Sequence, residues 1–201
     1  MILKSICFCF SSNPSVAEIE WIESIEEWRV SMGLETMYIL GHGLGAFLAA
    51  SYSLRYPKRV RRLILVEPWG VPEKPDNFDS DPKQMPLWIR TISAMSTPFN
   101  PLMPLRIAGP WAPVLLRKLR PDLGEKFHQS KSDVVYDYIY QCNGRSPATG
   151  ETAFRTLSDS AGWAQNPLVL RIGRLPLSIP ITVINGARTW LDSGIGMFRI
   201  F

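Results

Sequence analysis

Long apolar runs, cysteines and histidines are scarce in this chain of 201 residues. No stretch approaches the run of about 18 apolar residues that a membrane-spanning helix needs, so none is predicted. Cys7, Cys9 and Cys142 are the only cysteines, and they form no CxxC pair. Their number and spacing exclude a zinc motif and a disulfide framework, and they favour a reducing, intracellular compartment. With only two histidines, a mechanism that needs a histidine base has few candidates.

The charge is mildly basic, with a net value of +4 and a pI near 9.1. The basic residues form two short clusters instead of one long run: Arg59, Arg61 and Arg62, and Arg117, Lys118 and Arg120. Nucleic-acid binding would require basic residues on one face with interleaved aromatics, so no nucleic-acid partner is predicted. We interpret the clusters as solvated faces, and attraction to an anionic lipid surface stays open as an alternative.

The first part of the chain predicts one amphipathic helix. Ser15 followed by Glu18 is a capping box that would begin it. Gly33 is the expected stop. Apolar residues recur at steps of three and four, which predicts one buried stripe made of Ile19, Ile22, Ile25, Trp28 and Met32.

The next elements predict a parallel α/β unit. Residues 37–40 form an apolar run suited to a buried strand. Residues 44–56 predict a helix that ends before Pro57, and the apolar run at 62–66 predicts a strand buried on both faces. Residues 71 to about 175 are rich in proline and helical patterns, among them 87–96 and 133–142, without a clear strand. Residues 180–185 return to a strand pattern. A parallel sheet interrupted by a helical insertion predicts a hydrolase-like core with a cap.

The segment Gly41-His42-Gly43-Leu44-Gly45 joins the predicted strand to the predicted helix. It fits a G-x-S-x-G nucleophile elbow at every position except the nucleophile, where Gly43 stands. Read with Ala46 it also fits the G-x-G-x-x-G/A dinucleotide fingerprint, with Glu67 as the ribose acid. A fingerprint turn normally follows the first strand of its domain, whereas a helix precedes this one, so we favour the elbow and expect no cofactor.

Several longer stretches carry a family resemblance. They are residues 23–29 (ESIEEWR), 63–70 (LILVEPWG), 107–110 (IAGP), 119–122 (LRPD), 138–140 (YIY) and 150–154 (GETAF). On these stretches, residues 15 to about 192 resemble the abhydrolase domain-containing proteins four and five, of the α/β-hydrolase fold. The resemblance implies a partial core at 15–70 and 176–192 with a helical cap at 71–175. Residues 1–14 and 193–201 lie outside it, so we expect a member truncated at both ends.

The resemblance also implies residue roles. Gly43 takes the degenerate nucleophile position, Leu44 supplies an oxyanion-hole N–H, and Asp192 matches the triad acid. Gly41, His42 and Gly45 complete the elbow. The family's C-terminal catalytic histidine has no counterpart before Phe201, so hydrolase activity is not expected.

The two histidines of the chain are not expected to replace the missing base. We predict that His42 packs beneath the turn. His128 with Asp133 reproduces the H-x-x-x-x-D spacing of glycerolipid acyltransferases, which we interpret as accidental because the pair lies in the cap.

One member of the resembled pair co-activates a triglyceride lipase on lipid droplets, and the other acts on lysophospholipids. Gly186-Ala187-Arg188 is closer to the co-activator branch, which makes Arg188 a candidate contact for a lipase. The implied function is a non-hydrolytic regulator of intracellular lipid metabolism, cytoplasmic and associated with lipid droplets or membranes. The alternative is a lysophospholipid hydrolase or a lysophosphatidic acid acyltransferase. Neither reading requires a metal or another cofactor.

Overall fold

A computed structural model of the protein describes residues 10–74, 103–126, 132–144, 149–159 and 162–186. The helices are α1 (Pro14–Ser31), α2 (Leu44–Arg55), α3 (Met103–Ile107), α4 (Ala112–Leu119), α5 (Asp122–Lys126), α6 (Ser132–Asn143) and α7 (Thr149–Leu157). The strands are β1 (Met37–His42), β2 (Val60–Val66) and β3 (Ile181–Ile184). Internal contacts divide the chain into two compact units, residues 10–82 with 153–201, and residues 83–152 with 1–9.

The strands form one parallel sheet in the order β1-β2-β3. Register is fixed by pairs such as Ile39 with Leu63 and Leu65 with Val183. The predicted strand–helix–strand–strand arrangement is therefore confirmed, and the fold class is α/β. Parallel strands need a crossover between them, and α2 supplies it between β1 and β2.

Helix α1 begins two residues earlier than the capping box predicted. Asn13 is its N-cap, and the Asn13 side-chain oxygen accepts from the backbone N–H groups of Ser15 and Val16. Pro14 follows at the first helical position, where its missing N–H costs nothing. The prediction of Ser15 as the cap is wrong because the asparagine two residues upstream already caps the helix, and Ser15 lies within the first turn. The predicted stop is confirmed, since Gly33 follows the helix with a φ of 67°.

The predicted buried stripe of α1 is only partly buried. Ile22 is 4% exposed and Ile25 packs against the core, but Ile19, Trp28 and Met32 are 40–60% exposed. A helical period identifies which residues share a face. It does not say how much of that face a neighbouring element covers.

Helix α2 lies at the centre of the main core. Every residue from Ala46 to Ser53 is buried. Its side chains pack with those of Leu63 and Leu65 from β2 and with Leu168 and Ile172 from the segment after α7. A helix buried on all sides is expected to be apolar all round, and the small alanines let its neighbours approach closely.

Only one face of the sheet is well buried. Leu63 and Leu65 of β2 are fully buried, whereas the side chain of Arg62 is exposed and Ile64 is half-buried. On the same face of β1, Tyr38 and Leu40 are 68% and 64% exposed. The prediction that residues 62–66 are buried on both faces is therefore wrong: helices cover one side of β2 among the described residues.

The unit of residues 83–152 is helical wherever it is described. Its buried residues include Leu105, Ala112 and Tyr136. The Tyr136 hydroxyl donates to the Arg120 carbonyl at 3.0 Å, and Arg106 forms an ion pair with Glu151 at 2.5 Å. The predicted helix at 133–142 is confirmed, while that at 87–96 lies outside the described residues. No helix within the described ranges is long and apolar enough to cross a membrane.

An ionic network joins α1 to α2. The buried Arg29 donates twice to Glu26, from Nε at 2.8 Å and from Nη2 at 2.6 Å, and also to the Leu34 carbonyl. The hydroxyl of the fully buried Tyr52 donates to Glu26 Oε2 at 2.6 Å. Hydrogen bonds from Arg29 and Tyr52 outweigh desolvation and lower the pKa of Glu26 from 4.5 to about 2. Burial, followed by the bond to Glu26, raises the pKa of Tyr52.

This network predicts a specific acid sensitivity. A carboxyl whose pKa is depressed in the folded state contributes stability above its unfolded pKa and loses it on acidification. Stability should therefore fall between about pH 4.5 and pH 2, measured by urea unfolding across that range. Glu26→Gln should remove this component and cost about 3 kcal/mol at pH 7, because it leaves the Arg29 charge buried and uncompensated.

Glu27→Gln is the matched control, since Glu27 is exposed on the same helix. It should leave both the stability at pH 7 and its acid dependence within about 0.5 kcal/mol of the unaltered chain. Equal behaviour of the two variants would contradict the assigned role of Glu26.

Candidate functional site: a glycine elbow at the carboxyl edge of the sheet

The turn between β1 and α2 is made by a single residue. Gly43 has φ 57° and ψ −119°, a combination that is strained for a residue with a side chain. Strand β1 ends at His42 and α2 begins at Leu44. The chain therefore reverses from strand to helix within one residue, as the elbow interpretation predicts.

Gly41 sets how closely the strand and the helix approach. A Cβ at position 41 would overlap the carbonyl group of Gly45 and lie 2.6 Å from Ala46 Cα. These are backbone atoms and cannot move aside. Only glycine allows the end of β1 to pass so near the first turn of α2.

The Gly43 backbone ties the turn to its neighbours. Its N–H donates to the Val66 carbonyl at 3.0 Å, which joins the turn to the end of β2. Its carbonyl accepts from Ala46 at 3.1 Å, inside α2, and from Trp69 at 3.1 Å, in the loop after β2. The Trp69 indole N–H in turn donates to the Gly162 carbonyl at 3.0 Å. Hydrogen bonds thus fix the turn to the end of β2, to the first turn of α2 and to the loop after β2.

The front of the elbow is open. A Cβ built on Gly43 would meet nothing within 4 Å. The Leu44 N–H stands in the first turn of α2, where helix donors lack an intrahelical partner, and no described residue accepts from it. The site thus has room for a side chain and a free N–H beside it. Gly43 itself supplies no atom that could act as a nucleophile.

The prediction that His42 packs beneath the turn is wrong. Its side chain is 68% exposed, and its Nε2 lies 3.6 Å from Glu67 Oε2. His42 follows Leu40 by two residues, and side chains two apart share a face of a strand. Because that face is uncovered at β1 among the described residues, the imidazole faces solvent.

Glu67 is a residue of this edge whose geometry the sequence did not indicate. It directly follows β2 and has a φ of 44°, an uncommon conformation for a residue with a side chain. Its N–H donates to the Ile184 carbonyl at 2.8 Å, and its Oε1 accepts from the Gly186 N–H at 3.2 Å. The carboxylate thus ties the ends of β2 and β3 together. Only the change from a continuous apolar run to Glu-Pro marked the end of the strand.

The remaining predicted site residues have side chains outside the described part of the chain. Asp192, Arg188 and the pair His128 and Asp133 have no described side chains, so their assigned roles stay predictions. Within the described ranges, no three His, Cys, Asp or Glu side chains gather in a way that could hold a metal ion.

Comparison with known proteins gives matches of high identity to lipid enzymes. Residues 8–101 match the family model described as the alpha/beta hydrolase fold. The chain is 50% identical over 188 residues to human "1-acylglycerol-3-phosphate O-acyltransferase ABHD5" and 46% identical over 188 residues to mouse "(Lyso)-N-acylphosphatidylethanolamine lipase". Each alignment covers 93% of this chain, and it covers 53% and 54% of the relatives, respectively. The chain thus spans about half the length of the curated relatives that it matches.

A solved structure is also similar at low identity. The thioesterase domain from the curacin biosynthetic pathway superposes with a TM-score of 0.49 at 21% identity, over 88% of this chain and 59% of that domain.

The three elbow glycines should respond differently to alanine. Gly41→Ala should cost more than about 4 kcal/mol or prevent folding, because its Cβ would overlap backbone. Gly43→Ala should cost about 1–3 kcal/mol, through backbone strain alone. Gly45→Ala meets nothing within 4 Å on a helix and should be neutral or stabilise by up to about 1 kcal/mol.

Urea unfolding of the three variants measures this order. Gly45→Ala is the built-in control, because it makes the same chemical change two residues from Gly43 in the same segment. Tolerance of alanine at position 41 would contradict the close strand–helix approach.

Proposed function

We propose, on the premise that this chain belongs to the abhydrolase-domain family of the α/β-hydrolase fold, that it acts in intracellular lipid metabolism without hydrolysing esters itself. The observation that carries the proposal is the glycine at position 43. An elbow of the shape that presents a nucleophile carries no nucleophilic atom there. The chain spans about half the length of these relatives. Its activity and partners are therefore part of the proposal and are not taken over from the relatives' names.

The proposed role is that of a regulator that co-activates a triglyceride lipase at a lipid surface. The 50% identity to human ABHD5 supports the choice of this branch over the lipase branch at 46%. Arg188 is our proposed lipase contact, from its match to the co-activator branch. We place this activity in the cytoplasm, at lipid droplets or membranes.

The helical unit of residues 83–152 offers a surface suited to lipid. Exposed apolar side chains stand at the end of α3, in the turn that follows it and along α4, and those at positions 111, 115 and 119 are four residues apart, which places them on one side of α4. Ile107 and Trp111 are each 75% exposed, Leu115 is 39% exposed and Leu119 is 67% exposed. The exposed Arg117 and Lys118 stand beside this stripe. A basic amphipathic helix with an exposed tryptophan is typical of segments that lie in a membrane interface.

The alternative function is enzymatic. The printed names of the relatives, an O-acyltransferase and a lipase, favour it, and it would make this chain a lysophosphatidic acid acyltransferase or a lysophospholipid hydrolase. Against it stand Gly43 and the lack of a described base aimed at the turn. His42, the one histidine within the described ranges, lies near Glu67 in solvent.

The chain should have no serine-hydrolase activity. We expect no labelling by a fluorophosphonate probe, no turnover of a short-chain ester, and no acyl transfer from acyl-CoA to lysophosphatidic acid. Gly43→Ser should stay unreactive, because a serine hydroxyl without a base is a weak nucleophile. Turnover by the unaltered chain above the uncatalysed rate would support the enzymatic alternative. Labelling of Gly43→Ser alone would contradict the absence of a base.

Binding to lipid vesicles should depend on the stripe. Trp111→Ala should weaken cosedimentation with phosphatidylserine-containing vesicles several-fold, because an interfacial tryptophan contributes a large buried apolar area. Trp28→Ala is the matched control: Trp28 is 53% exposed on α1, which belongs to the other compact unit, and its loss should leave binding unchanged. Equal effects of both substitutions, or none from either, would contradict the stripe as the lipid contact.

A further inference from the structure

A cavity of about 580 Å³ lies at the far end of α2 from the elbow. Its walls come from the first half of α1, the last turns of α2 and the segment of residues 165–174. The volume falls in the range of about 300–1,000 Å³ that small-molecule sites occupy. Ser51 and Arg55, which line it, follow Gly43 by 8 and 12 residues, or about 12–18 Å along a helix axis. The cavity is therefore separate from the elbow.

The base of the cavity is a fixed polar network. Glu18 is only 3% exposed, and its Oε1 accepts from Arg171 Nη1 at 2.5 Å. Arg171 Nη2 donates to the buried Ser51 at 3.1 Å and to the Asn166 carbonyl at 3.1 Å. The guanidinium also lies 5.3 Å from the centre of the Phe47 ring. These contacts hold Arg171 in one orientation and leave its buried Nε without a hydrogen-bond partner.

One wall of the cavity is apolar and open to water. Ile19 is 40% exposed and Leu170 is 60% exposed, and both line the cavity beside Ile22 and Leu54. Covering such surface releases free energy in proportion to the apolar area removed from water. This wall therefore fits a hydrocarbon chain.

The charge of the lining is positive. It contains three arginines, Arg55, Arg171 and Arg174, against one carboxylate, Glu18. Arg55 is bound to Glu23 at 2.7 Å and Arg171 to Glu18. The exposed Arg174 guanidinium has no hydrogen bond or ion pair within the described part of the chain. Among the described residues, one arginine at the cavity thus has no carboxylate partner.

We propose that this cavity binds an amphiphilic anion, a single hydrocarbon chain that ends in a carboxylate or a phosphate. The chain lies on Ile19 and Leu170, and the anionic group accepts hydrogen bonds from Arg174. Charge complementarity selects this ligand over a neutral one, because a charge-assisted hydrogen bond to arginine is about twice as strong as a neutral one. The binding does not depend on the elbow or on a lipase partner.

Calorimetric titration of the 201-residue chain tests the proposal with four probes. Octyl phosphate and octanoate should bind saturably at one site, whereas inorganic phosphate and 1-octanol, which each lack one half of the ligand, should bind at least tenfold more weakly. The anion that binds with the higher affinity indicates the natural ligand: a lipid with a phosphate headgroup if octyl phosphate binds more tightly, or a free fatty acid if octanoate does. No saturable binding of either anion, or equal binding of 1-octanol, would overturn the proposal.

Variants separate the two halves of the site. Arg174→Gln should weaken both anions about tenfold, a loss of ~1.4 kcal/mol, and leave 1-octanol unchanged. Arg62→Gln, at an exposed arginine on the sheet outside the cavity, should change nothing. An unchanged affinity in Arg174→Gln would overturn the assignment of the anion to this arginine.

The apolar half is tested by a charge on the wall. Ile19→Asp and Leu170→Asp should each weaken all three chain-bearing probes, and the melting temperature of each variant reports that it folds. Both positions are 40% or more exposed, so the fold should tolerate an aspartate at one or both. Unchanged binding in a folded variant would place the hydrocarbon chain elsewhere and overturn the proposal.

Discussion

The contact between the end of β1 and the first turn of α2 is the constraint on which the main unit depends. It exists because Gly41 has no Cβ to strike the Gly45 carbonyl, and because Gly43 adopts a φ of 57°. With this turn in place, α2 lies across the sheet and is buried from Ala46 to Ser53. The hydrogen bonds of Gly43 to Val66 and Trp69 then fix the ends of the neighbouring elements.

Polar groups position the outer helix against this centre. Tyr52 of α2 donates to Glu26 of α1, and Arg29 completes that network. Near the start of α1, Glu18 binds Arg171 of the segment after α7, and Arg171 also donates to Ser51 of α2. Such paired and hydrogen-bonded charges contribute little net stability, but breaking one is costly because the partner remains buried. They orient α1 on α2 where apolar contacts alone would allow the helix to slide.

The elbow at Gly43 has the backbone shape of a catalytic turn but no reacting side chain. The elbow, the free Leu44 N–H and the carboxyl edge with Glu67 reproduce the setting in which this fold places a reacting residue. Gly43 supplies no reacting atom. The proposed regulatory role rests on this separation of shape from reacting atom. The apolar stripe of α3 and α4 and the arginine-lined cavity are further surfaces where such a regulator could meet amphiphiles.

The sequence by itself determined the α/β order, the elbow at Gly41 and Gly43, and the end of α1 at Gly33. Each of these depends on local chemistry: a hydrophobic period or the conformational freedom of glycine. Tertiary structure decided the exposure of His42 and Trp28, the strained backbone of Glu67 and its bond to Gly186, and the pairing of Glu18 with Arg171. Glu18 and Arg171 are 153 residues apart. No local pattern encodes which side of a strand is covered or which distant charges meet, because both depend on how the elements pack in three dimensions.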